Sequence, residues 1–307
     1  MTKSNNKNGL IELVRFLCSV WVAYFHGFFP ILSDKFSGGN ISVDFFFMVS
    51  GLFFLKSIEK YREKPFCEGA RFIFWGRTKR FIVPLIIAAL SILYCNVAFA
   101  LDFNGFNWPF SFLWFFAAQF VYLSFFYFLL KKIKSRSTFN VACIIVICVL
   151  LFAARFVSSP INAPVRGPAM IAIGMLLSQI PTISINAKDE SRSRRLTLTV
   201  NAIGFALAAA LMLFIAYVPG FAIGKIYIFC CIACPLLLYF ASALPVRSKF
   251  LNFLGEVSVF IYLGQCPILL HHYYVSRDTR EQFIPLCICA ALLFVINRII
   301  NKKQLIK

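Results

Sequence analysis

Apolar residues dominate this chain in long runs, which short polar and basic segments separate. A run of about 20 apolar residues lets an α-helix cross the hydrocarbon core of a bilayer, which is about 30 Å thick. The pattern predicts ten spans, of which the second and sixth are short: 11–32, 41–56, 81–101, 109–130, 139–158, 168–182, 197–218, 223–244, 256–274 and 283–300. We therefore predict an all-α polytopic integral membrane bundle of about ten transmembrane helices, forming a single domain over residues 1–307.

The composition agrees with this pattern. Hydrophobic residues make up 60% of the chain and charged residues 14%, and there are 38 Phe. Soluble domains are usually about 45–50% apolar and about 25% charged. One large bundle in lipid is therefore favoured over two soluble domains, although the length would allow two.

The net charge of +19 raises the question of a nucleic-acid partner, so the placement of the cations matters. Sorted by the ten predicted spans, 24 Lys and Arg fall on the side of both termini and 6 on the other side. This asymmetry is the positive-inside rule, and it predicts that both termini are cytoplasmic. We expect the lipid bilayer as partner and no nucleic acid. The sequence leaves a homo-oligomer open.

Most of the eleven cysteines lie within apolar runs. The group Cys230, Cys231 and Cys234 is compatible with a metal site, but no His lies near it in the sequence. Buried free cysteines behave as small hydrophobic residues, so packing is the favoured interpretation. We predict no metal and no permanently bound cofactor.

The first predicted span carries a narrow polar stripe. At about 100° per residue, Arg15, Ser19 and His26 fall within roughly 60° of Glu12. Polar groups inside a membrane are costly and usually face the bundle interior or a water-filled cavity. One interpretation is a functional channel in which His26, some 16 Å from Arg15, carries protons near neutral pH. The alternative is an interfacial Glu12–Arg15 ion pair with a satisfied buried histidine.

Asp44 lies a few residues into the second apolar run, after Gly38 and Gly39. At about the depth of His26, its carboxylate could orient that imidazole, as in a catalytic His–Asp arrangement. A carboxylate that the helix dipole favours near an N-terminus is about as good an explanation.

Arg77 and Arg80 belong to the loop that precedes the third predicted span, ARFIFWGRTKRFIVP. If that loop is helical, a spacing of three residues places both on one face. Two guanidinium groups at the cytoplasmic face can bind phosphate oxygens in a bidentate manner. The alternative is that they are simply part of the positive-inside signal.

These segments together resemble one family. Arg15 followed by ten residues and His26, then NISVDFFFMVSGLFF and RTKRFIVP, is similar to the membrane acyltransferase 3 family, whose members are bacterial enzymes of about ten helices. FLGEVSVFIYLGQCPILL resembles its Gly-x-x-Ser-x-x-x-Tyr-Leu helix through Gly255, Ser258, Tyr262 and Leu263, and RGPAMIAIGMLL resembles its Arg-led helix. Gln265 stands where a second histidine is expected, so the role of that histidine is not carried over.

The resemblance implies a multi-pass O-acetyltransferase of the bacterial inner (cytoplasmic) membrane, active in polysaccharide modification. It would move an acyl group, taken to be acetyl, from acyl-CoA to a hydroxyl of a surface polysaccharide or lipid-linked glycan. The expected site comprises catalytic His26 and Asp44, then Arg15, Arg77 and Arg80 for the donor, and Arg166, Tyr262 and Gln265 for the acceptor. The competing hypothesis is a transporter or flippase for a glycan or small anion, which buried charges would also suit.

Overall fold

A computed structural model of the protein describes residues 8–25, 39–78, 82–98, 114–157, 162–186, 189–217, 228–271 and 283–304. Within these ranges the chain forms eleven α-helices and no strand. The helices are α1 (Gly9–Phe25), α2 (Gly39–Ile58), α3 (Phe66–Thr78), α4 (Ile82–Ala98), α5 (Trp114–Lys132), α6 (Arg136–Ala154), α7 (Asn162–Leu177), α8 (Glu190–Tyr217), α9 (Cys234–Ala243), α10 (Lys249–His271) and α11 (Phe283–Gln304).

The predicted all-α class is confirmed for the described residues, and each predicted span overlaps one helix. By length and hydropathy three helical segments can cross a membrane, Trp114–Lys132, Arg136–Ala154 and Glu190–Ile215, and two shorter segments are also apolar. These segments are typical of a membrane protein. The number of ten spans and the cytoplasmic side of the termini stay predictions.

The segment before the third span, which the sequence described as a loop that could be helical, contains a helix: residues 66–78 form α3. Hydropathy misses this helix because Glu68, Gly69 and Arg71 interrupt its apolar residues. Its partner is α5: the rings of Phe66 and Tyr127 stack at 5.3 Å. Packing of this kind stabilises a short helix that its own sequence favours only weakly.

Four helices begin directly after a residue with a capping side chain. Such residues accept hydrogen bonds from backbone N–H groups that have no partner inside the helix. Asn8 accepts from Leu10, Ser135 from Thr138, Asp189 from Ser191 and Ser248 from Leu251, at the starts of α1, α6, α8 and α10. The cap explains why α8 begins at Glu190, well before the apolar run at 197. The Ser191 hydroxyl and N–H also lower the pKa of Asp189.

A single π-helical turn over Phe229–Ala233 precedes α9. Pro235 follows it within the first turn of α9. Proline has no N–H to donate and its ring crowds the carbonyl four residues earlier, so the preceding turn widens. The described part of the predicted span 223–244 is therefore helical from Ile228 onward, with one wide turn.

The chain divides into two compact units. The first comprises residues 1–18, 35–56 and 140–256. At one end of it, the Asn8 side chain donates to the carbonyl oxygens of Ala241 and Leu244 at 2.8 and 2.9 Å, and the Gly9 N–H donates to Val246 at 2.8 Å. The start of α1 is thereby fixed to the segment that joins α9 to α10.

The second unit comprises residues 19–34, 57–139 and 257–307. The Tyr127 hydroxyl donates to the Tyr61 carbonyl at 2.9 Å, and Arg62 donates to the Ile133 carbonyl at 2.8 Å. These bonds join the segment between α2 and α3 to the C-terminal half of α5 and the α5–α6 connection. Elsewhere in this unit α4, α10 and α11 share an apolar core, whose buried members include Ala88, Phe260, Leu263, Leu286 and Ala290.

Candidate active site

The most deeply buried charges among the described residues form an ion pair between α2 and α7. Both Nε and Nη2 of Arg166 donate to Oδ2 of Asp44, at 3.1 and 3.0 Å. The Asp44 side chain is 0% exposed and that of Arg166 is 3% exposed. A buried charge is tolerated only when a partner of opposite charge and hydrogen bonds compensate for lost hydration. The pair is thus a preassembled polar centre in apolar surroundings.

A close crossing of α2 and α7 brings these two side chains together. A Cβ atom at Gly51 would lie 2.1 Å from the Ile171 carbonyl oxygen, and one at Gly174 would lie 2.0 Å from that of Met48. Glycine is therefore required at both positions for the backbones to touch. Asp44 and Arg166 both precede this crossing in the chain, so the two helices run in the same direction.

The structure describes the first span as far as Phe25, so it includes Glu12, Arg15 and Ser19 of the predicted polar stripe. Glu12 is 6% exposed and Ser19 is 0% exposed, so both face protein rather than lipid. The Arg15 Nη1 donates to Glu12 Oε2 at 2.8 Å, which confirms the ion pair that one interpretation of the stripe contained. His26 lies outside the described residues, and its catalytic role stays a prediction.

The proposed phosphate-binding arginines are only partly described. Arg77 belongs to the last turn of α3, while Arg80 lies outside the described residues. The course of α3 is clear from its contacts with α5: Gly69 closely approaches the Tyr127 ring, and the rings of Phe74 and Phe120 lie 5.3 Å apart. Since residue numbers rise on α3 while they fall on α5, the two helices are antiparallel. The helix therefore carries Arg77 away from the Lys131–Lys132 end of α5.

Two of the three residues expected to bind the acceptor, Tyr262 and Gln265, lie one turn apart on α10. Tyr262 is buried, with its ring 5.8 Å from that of Phe115 and 5.9 Å from that of Phe116. Gln265 is 1% exposed, and its Nε2 donates to the Ile261 carbonyl at 3.3 Å. Its Oε1 has no hydrogen-bond partner among the residues that the structure describes. Such an acceptor suits a hydroxyl group of a ligand.

The structure thus brings Asp44 together with Arg166, a pairing that the sequence did not predict. The sequence predicted Asp44 beside His26, which lies outside the described residues, and assigned Arg166 to the acceptor with Tyr262 and Gln265. The pairing could not be inferred from spacing, because 122 residues separate the two. The contact between Gly255 and Glu12 was not predicted either, although an added Cβ at Gly255 would lie 1.8 Å from Glu12 Oε2. The occurrence of Gly255 in the Gly-x-x-Ser motif was the one available signal.

Comparison with known proteins identifies a family for this chain. A family model described as an acyltransferase domain matches residues 8–300, which is essentially the whole chain. The protein belongs to this acyltransferase family. No curated protein and no solved structure matches the chain.

Proposed function

We propose that the protein is an integral membrane O-acyltransferase that moves an acetyl group from acetyl-CoA to a hydroxyl of a surface polysaccharide or lipid-linked glycan. We place it in the bacterial inner membrane. The family match over residues 8–300 carries the proposal. The apolar helices and the buried Asp44–Arg166 pair support it, because charges within a membrane protein usually mark a functional site.

The donor binds from the cytoplasmic side in this proposal. Arg77 and Arg80 grip the pyrophosphate or the 3′-phosphate of CoA, since guanidinium groups match phosphate oxygens in a bidentate geometry. Arg15, close to the start of α1, contributes a third positive charge. The pantetheine arm then extends along the polar stripe of α1 and brings the thioester towards His26.

His26 acts as general base on the acceptor hydroxyl in the main form of the proposal. The hydroxyl oxygen attacks the thioester carbon, His26 takes its proton, the C–O bond forms and the C–S bond breaks. The CoA thiolate leaves and takes up the proton as free thiol, so the products are the acyl ester and CoA. In the other form, His26 carries the acyl group briefly before the acceptor receives it.

Asp44 and Arg166 support the acceptor side of this reaction. Asp44 holds the Arg166 guanidinium in a fixed place, and Arg166 binds acceptor oxygen atoms. In this proposal Asp44 also acts in catalysis, as the carboxylate that orients His26. Tyr262 and Gln265 are further acceptor-binding residues in this proposal, because the buried Oε1 of Gln265 can accept a hydrogen bond from a sugar hydroxyl.

Membrane vesicles that contain the protein test this proposal. They are given acetyl-CoA labelled in the acetyl group, and label is measured in the glycan and lipid fractions. Wild type is expected to incorporate label and His26→Ala to lose it. His272→Ala is the matched control, because it removes another of the three histidines and should keep incorporation near wild type. Incorporation by His26→Ala at the wild-type rate would contradict the catalytic role.

A further inference from the structure

The tightest approach of a side chain to a glycine in the first unit lies between α1 and α10. A Cβ atom at Gly255 would meet three atoms of Glu12: Oε2 at 1.8 Å, Cβ at 2.6 Å and Cδ at 2.7 Å. Distances under 3.0 Å are not tolerated between such atoms, so any side chain at position 255 must displace the Glu12 carboxylate. Gly255 is therefore a notch in α10 that Glu12 fills.

Glu12 uses this position to hold Arg15. The Oε2 atom that lies over Gly255 is the same atom that accepts the hydrogen bond from Arg15 Nη1 at 2.8 Å. The carboxylate is nearly buried, with 8% of the side chain exposed, whereas 24% of the Arg15 side chain is exposed. The buried partner thus fixes the orientation of a guanidinium that solvent or a ligand can still reach.

The helix that carries Glu12 cannot easily move to relieve a clash. Asn8 and Gly9 make three hydrogen bonds of 2.8 to 2.9 Å with Ala241, Leu244 and Val246. A Cβ atom at Gly9 would also lie 3.1 Å from Leu251, so α1 and α10 are in contact along their first turns. A larger residue at 255 would therefore push the carboxylate away from Arg15 and strain the fixed start of α1.

We infer that Glu12 is a positioning residue that aims Arg15 at the phosphates of the acyl donor, and that Gly255 is the notch that permits it. The inference rests on the proposed function, because it takes Arg15 to face acyl-CoA. The ligand group is a phosphate or pyrophosphate, which a guanidinium held in one orientation binds with less loss of side-chain entropy.

A comparison of two acyl donors distinguishes a positioning role of Glu12 from a merely structural one. Acetyl-CoA carries the phosphates, and S-acetyl-N-acetylcysteamine is a thioester without them. Glu12→Gln is nearly isosteric and removes the charge, so it should raise the KM for acetyl-CoA about tenfold, the effect of weakening one charge-assisted hydrogen bond. The rate with the phosphate-free donor should not change. A loss of equal size with both donors would overturn the positioning role.

The notch is tested on α10 itself. Gly255→Ala should raise the KM for acetyl-CoA as Glu12→Gln does. Gly264→Ala should not, because the three atoms nearest to its added Cβ, from 3.2 Å, belong to Ala290 and none belongs to Glu12. Glu12→Gly removes the three atoms that lie nearest to the new Cβ. The double variant Glu12→Gly with Gly255→Ala should therefore fold and match Glu12→Gly alone. If the double variant is less active or less stable than Glu12→Gly alone, the role of Gly255 as the notch for Glu12 is overturned. This comparison holds even if Gly255→Ala alone does not fold.

Chemical labelling makes the inference testable even if acyl transfer is not observed. Phenylglyoxal modifies arginine, and peptide mass spectrometry reports its rate at Arg15. Glu12→Gln and Gly255→Ala should both raise that rate relative to wild type and Gly264→Ala. Equal rates in all four proteins would overturn the geometry. If the labelling rate rises but the variants affect both donors equally, the assignment of Arg15 to the phosphates is overturned. If wild type shows no acyl transfer at all, that result counts against the proposed function alone.

Discussion

Replacing Asp44 with Asn removes the charge that compensates Arg166 while leaving the side-chain volume almost unchanged. Arginine cannot lose its proton inside a protein, so the Arg166 guanidinium stays charged and buried without its ion pair. At 3.0 Å the attraction between the two groups is about 5 kcal/mol for an effective dielectric constant of about 20. Breaking a buried pair by removing one partner typically costs about 3–5 kcal/mol. We expect Asp44→Asn to lower the free energy of unfolding by about 3 kcal/mol.

The assay is a double-mutant cycle of Asp44→Asn and Arg166→Gln, measured by denaturant unfolding in bicelles. If the pair acts as a unit, the double variant should be less destabilised than the sum of the single variants by at least about 1.5 kcal/mol. Glu59→Gln is the control, because Glu59 makes ion pairs with Arg62 and Arg136 but is 42% exposed. Exposed pairs contribute less than about 1 kcal/mol, and Glu59→Gln should cost no more. A coupling energy for Asp44 and Arg166 below about 0.5 kcal/mol would refute the reasoning.

Two more predictions concern the helix crossing and the donor site. Gly174→Ala should destabilise the protein by about 2 kcal/mol, because its Cβ would lie 2.0 Å from a backbone oxygen. Gly76→Ala should change the free energy of unfolding by less than about 0.5 kcal/mol in the same assay, because its nearest contact is the Phe72 side chain at 3.2 Å rather than backbone. Equal effects would contradict the close crossing. Arg77→Gln with Arg80→Gln should weaken acetyl-CoA binding to purified protein at least about tenfold, and Arg71→Gln, on the exposed face of α3, should not. An unchanged affinity in the double variant would exclude the phosphate-binding role.

Much of the helical architecture follows from local features of the sequence. Apolar runs locate ten of the helices because a transmembrane helix must be apolar over about 20 residues. The capping residues Asn8 and Asp189 mark the helix starts at Gly9 and Glu190, which hydropathy alone places two and seven residues too late. The helix α3 could not be predicted in this way, because its stability depends on contacts of Phe66 and Gly69 with Tyr127, which lies about 60 residues further along the chain.

The sequence singles out the buried charges and one of their pairings, Glu12 with Arg15, but not the pairing of Asp44 with Arg166. Asp44 and Arg15 stand out because charges in apolar runs are costly, and the need for a partner follows from the same cost. Which partner a charge takes depends on how helices cross. Gly51 and Gly174 place Arg166 beside Asp44, and Gly255 places α10 against Glu12. These close approaches depend on the absence of a side chain, which a pattern of apolar and polar residues does not reveal.

The most direct test of the central claim uses acetyl-CoA that carries one label in the acetyl group and another in the adenine ring. Membrane vesicles with wild-type protein should transfer the acetyl label to the glycan or lipid fraction while the adenine label stays in solution as free CoA. That separation is acyl transfer itself, and no transporter produces it. If the two labels remain together at every time point, or separate equally in vesicles with His26→Ala, the account of this protein as a His26-dependent acyltransferase is contradicted.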